Sequence, residues 1–437
     1  MQRLCRRDTL LVGLTLFSMF FGAGNLIFPP FLGAQAGCST WPAMAGFVLS
    51  AIGLPILGVV AVAKAGGLPA LAGRVGPHFA WVFTLLIYLS IGPGLAIPRT
   101  ASTSFEMAVT PFWADAPRWV LPGYTAVFFA AAALIAFRPE KLTDRLGKVL
   151  GPTLLVLILV IVTGCLLHAP GGYGAPTGSY VGSVLSQGFV DGYQTMDTIA
   201  ALNFGIIIAL NIQSRGVREP QAVVAATIRA GWLAGAVLLV VYAALAHVGA
   251  VSGGAFPGAS NGAGVLTNLV SWLYGPIGSV LLGLVFVIAC LNTCVGLLSC
   301  CSEYFCQMAP RISYRAWVLI FAAVSFLIAI AGLDAILAVS KPILNAIYPV
   351  AIVLIVLGLA HRVTGRVPGC YPGAVAATGV ASVLYALDLA GLPVPYLTAL
   401  VRQLPLYEAG LCWALPALAG GILGALLWYR KKEKAAE

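Results

Sequence analysis

Charged side chains are scarce in this sequence. Asp, Glu, Lys and Arg together make up 9% of the 437 residues, whereas hydrophobic residues make up 60% and the mean hydropathy is +0.98. A soluble domain carries roughly a quarter charged residues, and a water-facing surface cannot be built from so few. Most of the chain is therefore expected to contact lipid.

Residue patterns typical of catalytic and metal sites are also missing. No HExxH motif occurs, and neither the Cys290–Cys294 spacing nor the Cys300–Cys301 pair has a histidine companion at metal-ligand spacing. The four histidines lie far apart in sequence, at positions 78, 168, 247 and 361. The sequence therefore predicts neither an enzyme nor a cofactor.

Long apolar runs are present from one end of the chain to the other. A helix needs about 20 apolar residues to cross a membrane. Helices are expected because lipid offers no hydrogen-bond partners to the backbone N–H and C=O groups. The alternation of apolar and polar residues that is typical of barrel strands does not occur in these runs. Because the first run has glycine, asparagine and proline in it and no clean cleavage site, we interpret it as a retained helix, not a signal peptide. Twelve spans are predicted, at 9–35, 41–63, 79–108, 119–137, 149–168, 189–213, 222–250, 275–305, 316–333, 336–359, 372–391 and 409–429.

Basic residues lie on alternate loops of this prediction. If the N-terminus is placed in the cytoplasm, 20 of the 24 Lys and Arg fall on the cytoplasmic side, and only Arg118 and Arg402 fall outside. This distribution obeys the positive-inside rule. It predicts two cytoplasmic termini, and it accounts for the net charge of +10 without a nucleic-acid partner.

The first predicted span is interrupted near its middle. Gly22, Gly24 and Asn25 are followed by Pro29 and Pro30. Backbone groups freed by such a break are tolerated at membrane depth only where protein or a water-filled cavity surrounds them, and they can bind a cation or a carboxylate. A kink that only assists helix packing is the alternative.

The sixth predicted span is interrupted in the same way, since Asp197 and Asn203 lie within it. Alternatively, residues 189–197 belong to an outer loop. Spans 1 and 6 occupy corresponding positions in two five-helix halves, 9–168 and 189–359, which 372–429 follows as two extra helices. Interrupted helices at corresponding positions indicate a binding site between inverted repeats. The predicted fold is thus one all-α transmembrane domain with a 5+5 inverted repeat.

Further polar residues lie within other spans. Asn292 and Thr293 in span 8 offer the hard oxygen ligands that small cations prefer, or they form hydrogen bonds between helices. The roles of the remaining charged residues are left open: Arg99, Glu106, Asp197, Glu303 and Lys341.

Five stretches carry a resemblance to a known family: FFGAGNLIFPP (20–30), GPGLAIPRTASTSFE (92–106), GFVDGYQTMDTIAALNFG (188–205), IACLNTCVGL (288–297) and LPLYEAGLCWALPA (404–417). They resemble the branched-chain amino acid:cation symporter family of BrnQ-type bacterial carriers. The resemblance covers essentially the whole chain. It implies uptake of leucine, isoleucine and valine with Na⁺ across the bacterial inner membrane, by a LeuT-like fold with no obligate protein partner.

The same resemblance implies two groups of site residues. The substrate would contact the breaks in spans 1 and 6, at Ala23, Gly24, Asn25, Thr195, Thr198, Ala201, Leu202 and Phe204. Na⁺ would be bound between spans 1 and 8, by Ser18, Phe21, Ala23, Asn25, Ala289, Asn292 and Thr293. LeuT-like carriers generally have a hydroxyl at the position of Asn292, which leaves the identity of the ion open.

Two other transport mechanisms are compatible with a polytopic membrane protein. A channel would need a continuous polar pore or a charged ring, and no span has repeated polar residues along one face. A proton-coupled amino-acid carrier is the nearer alternative, with Asp197 or Glu106 as the proton site. An apolar pocket discriminates single methylene groups by only about 1–3 kcal/mol, so leucine, isoleucine and valine are expected to share one site.

Overall fold

The computed structural model describes residues 4–113, 115–137 and 151–434. These residues form helices joined by short turns, and no β-strand occurs among them. Lipid offers no hydrogen-bond partners to the backbone, whereas a helix satisfies its backbone groups internally. All-α architecture is therefore confirmed for the described part of the chain.

The first half contains nine helices in the described residues. A π-helical segment at Leu49–Gly53 joins α3 to α4, and another at Ser90–Gly94 joins α6 to α7. The helices are α1 Arg6–Phe20, α2 Ala23–Ala36, α3 Thr40–Val48, α4 Leu54–Ala65, α5 Leu68–Gly73, α6 Pro77–Leu89, α7 Ala96–Ala108, α8 Val120–Ala136 and α9 Gly151–Leu167.

The second half, all of it described up to residue 434, contains ten further α-helices. A 3₁₀ turn at Gly192–Thr195 follows the first of them. The helices are α10 Val184–Asp191, α11 Asp197–Ser214, α12 Pro220–Ala255, α13 Gly262–Met308, α14 Tyr314–Ala329, α15 Leu333–Leu359, α16 His361–Thr364, α17 Cys370–Leu389, α18 Leu397–Arg402 and α19 Ala414–Lys434.

Each predicted span overlaps one of these helices or a broken pair of them. Residues 149–150 of the fifth span lie outside the described residues, and the helix of the twelfth begins at Ala414, not at 409. By length and apolar composition, six continuous helical segments qualify as membrane spans in the described residues, or seven if one bent pair is included. One of the six, Ala23–Ala65, has 43 residues and would be about 65 Å long if straight, roughly twice the hydrocarbon core. It turns at Gly37, where φ is 50°. The count of twelve spans remains a prediction.

Two loop predictions need correction. The connection predicted at 251–274 is largely helical, since α12 continues to Ala255 and α13 begins at Gly262. A left-handed residue, Gly275 with φ of 58°, then divides α13 before Pro276. The first half of span 6 also begins earlier than residue 189, because α10 starts at Val184. Glycine and serine are frequent in both stretches, but tertiary packing overrides such weak local preferences.

Helix ends meet on two opposite faces of the bundle. On the face where α1 begins, here called the N-terminal face, Arg215 at the end of α11 contacts Asp8 at 2.7 Å. Tyr314 at the start of α14 donates to the carbonyl oxygen of Ala136 at the end of α8. On the opposite face, the backbone N–H of Thr177 donates to the carbonyl oxygen of Gln35. The basic segment 138–150, part of the predicted cytoplasmic charge, lies outside the described residues.

The second half of span 1 is held against α12 by close backbone contact. A Cβ atom built on Gly33 would lie 2.0 Å from the carbonyl oxygen of Ala246, and one on Gly249 would lie 1.9 Å from that of Pro30. Small residues at membrane helix interfaces permit such an approach. The contact positions the start of α2 firmly in the centre of the bundle.

Candidate functional site

Two helix N-termini meet near the middle of the bundle. Span 1 breaks at Phe21 and Gly22, whose backbones are extended, and α2 starts at Ala23. Span 6 breaks at Met196, which is left-handed with φ of 64°, and α11 starts at Asp197. The first N–H groups of a helix have no partner within it. Each break therefore presents backbone donors and a positive dipole end to the space between the helices.

Asn25 links the two breaks. Its Oδ1 accepts a hydrogen bond from the backbone N–H of Gly22 at 3.0 Å, which bridges the break in span 1. Its Nδ2 donates to Oδ2 of Asp197 at 2.6 Å and also to the hydroxyl of Tyr242 on α12. The Tyr242 hydroxyl donates to the same Oδ2 at 3.1 Å. These three buried side chains join span 1, α11 and α12 at membrane depth.

A cavity lies between the two breaks, and α7 and α13 close its sides. Its wall combines charged groups with apolar side chains from four parts of the chain. The lining residues are Met19, Phe20, Gly22, Ala23, Gly24, Asn25, Ile91, Ala96, Arg99, Thr100, Thr195, Met196, Asp197, Ala200, Phe204, Thr293 and Leu297. We call this space the central cavity.

Arg99 enters the central cavity from α7. One guanidinium nitrogen, Nη1, donates to the carbonyl oxygen of Gln194 at 2.7 Å, and the group lies 5.4 Å from the ring centre of Phe28. Its Nε has no hydrogen-bond partner among the described residues. A Cβ on Gly24 would lie 2.8 Å from Nη2, so the glycine leaves space for this side chain beside the break.

A second cavity opens towards the N-terminal face between α1, α11 and α13. It shares Met19, Phe204, Thr293 and Leu297 with the central cavity. Thr15 lies nearer the start of α1, and Asn211 lies near the end of α11. The two spaces therefore adjoin one another, and we call the second cavity the inner vestibule.

Two buried oxygen atoms lie at the junction of these spaces. Oδ1 of Asn292 and Oγ1 of Thr293 have no hydrogen-bond partner among the described residues. A Cβ on Gly22 would lie 2.4 Å from that Thr293 oxygen, which places it directly against the break in span 1. Ser18 also lines the vestibule. Buried polar atoms without partners are costly, and oxygen atoms of this kind suit a small hard cation.

Five of the eight predicted substrate residues line the central cavity: Ala23, Gly24, Asn25, Thr195 and Phe204. The other three do not. Thr198 donates to the carbonyl oxygen of Ser50, and the Cβ of Ala201 lies 3.3 Å from where a Cβ on Gly58 would stand. Leu202 is fully buried outside the cavity wall. Helical periodicity explains the difference, because Asp197, Ala200 and Phe204 share one face of α11.

The predicted cation residues divide similarly. Ser18, Asn292 and Thr293 line the vestibule, while Ala23 and Asn25 line the central cavity. Phe21 packs its ring on Phe17 at 5.2 Å and Ala289 is buried, so only their carbonyl oxygens remain as candidate ligands.

Three charged residues whose roles were open lie away from the cavities. Glu303 accepts from Gln307, and Lys341 is exposed on α15. Glu106 is half-buried beside Asn261, which itself donates to Asp334 at 3.3 Å. The residues that sequence reasoning missed include Phe20, Ile91, Ala96 and Leu297. They are apolar, and nothing in their local pattern distinguishes a cavity wall from a core.

The fold is shared with solved transporters. The chain superposes on Mhp1, a nucleobase-cation-symport-1 family transporter in a closed conformation with bromovinylhydantoin bound, at a TM-score of 0.63 and 16% identity. The match covers 97% of this chain and 93% of the other. The architecture is accordingly that of the LeuT-like transporters.

Sequence comparison extends over nearly the whole chain. The family described as "Branched-chain amino acid transport protein" matches residues 5–431. The branched-chain amino acid permease BraB of Bacillus subtilis is 40% identical over 424 residues, 96% of this chain and 95% of its own. The branched-chain amino acid transport system 3 carrier protein of Pseudomonas aeruginosa is 41% identical with the same coverage. The chain therefore belongs to the branched-chain amino acid transport protein family, and like these permeases and carriers it is a multi-pass membrane transporter and not an enzyme.

Proposed function

We propose that this protein imports leucine, isoleucine and valine together with Na⁺ by alternating access. The observation that carries the proposal is the pair of buried oxygens of Asn292 and Thr293, which have no hydrogen-bond partner among the described residues. The Thr293 oxygen lies against the extended backbone at Gly22. A cation at this point satisfies both oxygens and joins α13 to span 1. Because the same break borders the central cavity, occupancy by the cation and by the amino acid would favour one another, and such coupling is reciprocal.

The central cavity suits a branched aliphatic side chain. Phe20 and Phe204 are in contact, with ring centroids 5.9 Å apart, and Ile91 and Leu297 complete an apolar wall. The same wall carries polar groups at the two breaks, among them Asn25, Thr195 and Asp197. An apolar wall separates ligands that differ by one methylene only weakly, which supports a site shared by the three amino acids.

The conformation supports an inward-open state in the proposed cycle. The inner vestibule reaches the N-terminal face, where the basic ends of α1 and α11 lie. At the other end of the central cavity, Arg99 bonds to Gln194 and lies over the Phe28 ring, and we propose that these contacts close the site towards the opposite face. Since Lys and Arg concentrate on cytoplasmic loops, we assign the N-terminal face to the cytoplasm of a bacterial inner membrane.

Uptake into proteoliposomes tests the proposal directly. Labelled leucine is expected to accumulate under an inward Na⁺ gradient, and isoleucine and valine are expected to compete, because one apolar pocket receives all three. A matched inward proton gradient without Na⁺ is the control. Absence of leucine uptake under either gradient contradicts the proposed substrate, and uptake driven by protons alone contradicts the proposed ion.

Alternating access predicts ligand-dependent exposure of the inner vestibule. In Thr15→Cys, an impermeant thiol reagent applied from the cytoplasmic side is expected to react, and leucine with Na⁺ should slow the reaction because the vestibule closes. Thr84→Cys, at a buried position on α6, is the unreactive control. An unchanged rate with both ligands present argues against closure. The background for both variants replaces with Ser the four cysteines that are not buried: Cys5, Cys38, Cys300 and Cys306.

Proton coupling is the second candidate, and the buried cluster of Asp197, Asn25 and Tyr242 is the observation that favours it. Asp197→Asn keeps the shape of the side chain and removes its ability to carry a proton. If protons drive transport through this residue, the variant loses pH-driven uptake even at saturating leucine, whereas any sodium-driven uptake returns as the leucine concentration is raised. Glu106→Gln is the matched variant, and it tests the second candidate carboxyl group in the same way.

A further inference from the structure

Resting on the proposed function, the geometry points to one further property of the central cavity. We infer that Arg99 binds the α-carboxylate of the transported amino acid and that Asp197 binds its α-ammonium group. The cavity would then select zwitterionic α-amino acids through two fixed charges. The backbone donors at the helix breaks assist this selection and do not carry it alone.

The first support is the state of Arg99. A charged side chain within a membrane span is rare and is usually paired, and Arg99 is only 4% exposed. No carboxylate of the described residues lies within 4.0 Å of it. One nitrogen donates to the Gln194 carbonyl oxygen, and Nε donates to nothing described. A guanidinium binds a carboxylate through two parallel N–H donors, and this one retains that capacity.

The second support is the position of Asp197 in the same cavity wall. Asn25 and Tyr242 both donate to its Oδ2, so the carboxyl group is held in one orientation. Neither of these two bonds uses Oδ1. Orientation by neighbouring hydrogen bonds is what a preorganised binding group requires. Tyr242 and Asn25 are thus positioning residues for this carboxylate.

The third support is the backbone between the two charges. Gly24 lies beside Arg99, and its Cβ would stand 3.3 Å from the Cα of Thr195. The absence of a side chain at this point leaves the N-terminus of α2 within reach of a carboxylate that Arg99 holds. Helix N-termini stabilise such anions. The side chain of the substrate would then project towards Phe204 and Leu297.

The charge balance agrees with this arrangement. Arg99 and Asp197 cancel one another in the cavity, and a zwitterion adds no net charge. A substrate that lacks either charged group would leave a buried charge without a partner, which is costly at membrane depth. Discrimination against such analogues should therefore far exceed discrimination between leucine and valine.

Competition with labelled leucine in wild-type proteoliposomes tests the inference without any substitution. Leucinamide lacks the carboxylate, and 4-methylpentanoate lacks the ammonium group. Each is expected to compete at least about 30-fold more weakly than leucine, since an unpartnered buried charge is costly. If either analogue competes as well as leucine, the inference is overturned.

Substitutions then assign the two charges. Arg99→Gln is expected to raise the KM for leucine roughly 30-fold or more and to abolish the preference for leucine over leucinamide. Arg99→Lys should restore part of that preference. Asp197→Asn should reduce the preference for leucine over 4-methylpentanoate instead. Arg315→Gln is the matched control, because its guanidinium also stacks on a phenylalanine, Phe137, but outside the cavity.

The outcomes separate the inference from the proposed function. If Arg99→Gln keeps both the KM and the analogue preference of the wild type, Arg99 does not bind the carboxylate. If that variant does not fold, Arg99→Lys and the wild-type competition still decide. Failure of the proposed function looks different, because the wild type itself would then take up no leucine under either gradient.

Discussion

Gly22→Ala is expected to impair sodium coupling more than any other small substitution in span 1. The added methyl group would lie 2.4 Å from Oγ1 and 3.0 Å from Cγ2 of Thr293, a short side chain with little freedom to move. Relieving such a clash costs about 1–3 kcal/mol. If the displacement removes the Thr293 oxygen from the cation, the Na⁺ concentration for half-maximal leucine uptake rises by about one to two orders of magnitude.

Gly296→Ala is the matched control for this prediction. Gly296 lines the same vestibule, and a Cβ atom on it would meet no atom within 4 Å. Thr293→Ala and Asn25→Ala should also weaken Na⁺ dependence before they abolish folding. Unchanged Na⁺ activation in Gly22→Ala, in protein that elutes as a single folded species, would contradict the proposed cation site beside Thr293.

Gly249→Ala is expected to destabilise the whole bundle. Its methyl group would lie 1.9 Å from the carbonyl oxygen and 2.5 Å from the Cα of Pro30, so two backbones must separate. Backbone atoms cannot rotate away as a side-chain tip can, and we expect a cost of about 3 kcal/mol or more. The apparent melting temperature in detergent, followed by size-exclusion chromatography after heating, should fall clearly below that of the wild type.

A glycine in open surroundings provides the comparison. Gly123 lies on α8, and a Cβ atom there would meet nothing within 4 Å. Gly123→Ala should leave the melting temperature unchanged or raise it slightly, since alanine favours the helix by about 1 kcal/mol. Equal stability of the two variants would mean that α2 and α12 do not cross at backbone contact distance.

Much of the architecture follows from the sequence because lipid constrains the chain so strongly. Few charges and long apolar runs leave only helices as a means of crossing the membrane. The breaks at Gly22 and Met196 could also be located to within a few residues, because glycine, asparagine and aspartate are rare within such runs and are costly there. The family followed from five long motifs, which the comparison over residues 5–431 confirms.

Local pattern was less informative about which side chains face the cavity. Thr198, Ala201 and Leu202 lie within the broken region, yet they pack away from the cavity. Their neighbours Asp197 and Ala200 line it. A shift of one residue along a helix turns the side chain by about 100°, so closeness in sequence to a break does not decide orientation.

Only the tertiary structure decided how the polar residues are paired. The partners of Asn25 are 172 and 217 positions away in the sequence, at Asp197 and Tyr242. Arg99 reaches Gln194 and the glycine at position 24 because α7 packs beside both breaks. Composition and periodicity indicate whether a helix is surrounded by lipid or by water, whereas these contacts depend on how the helices cross. The sequence thus determined a membrane transporter with two broken helices, and the packing of those helices decided which charges share its cavity.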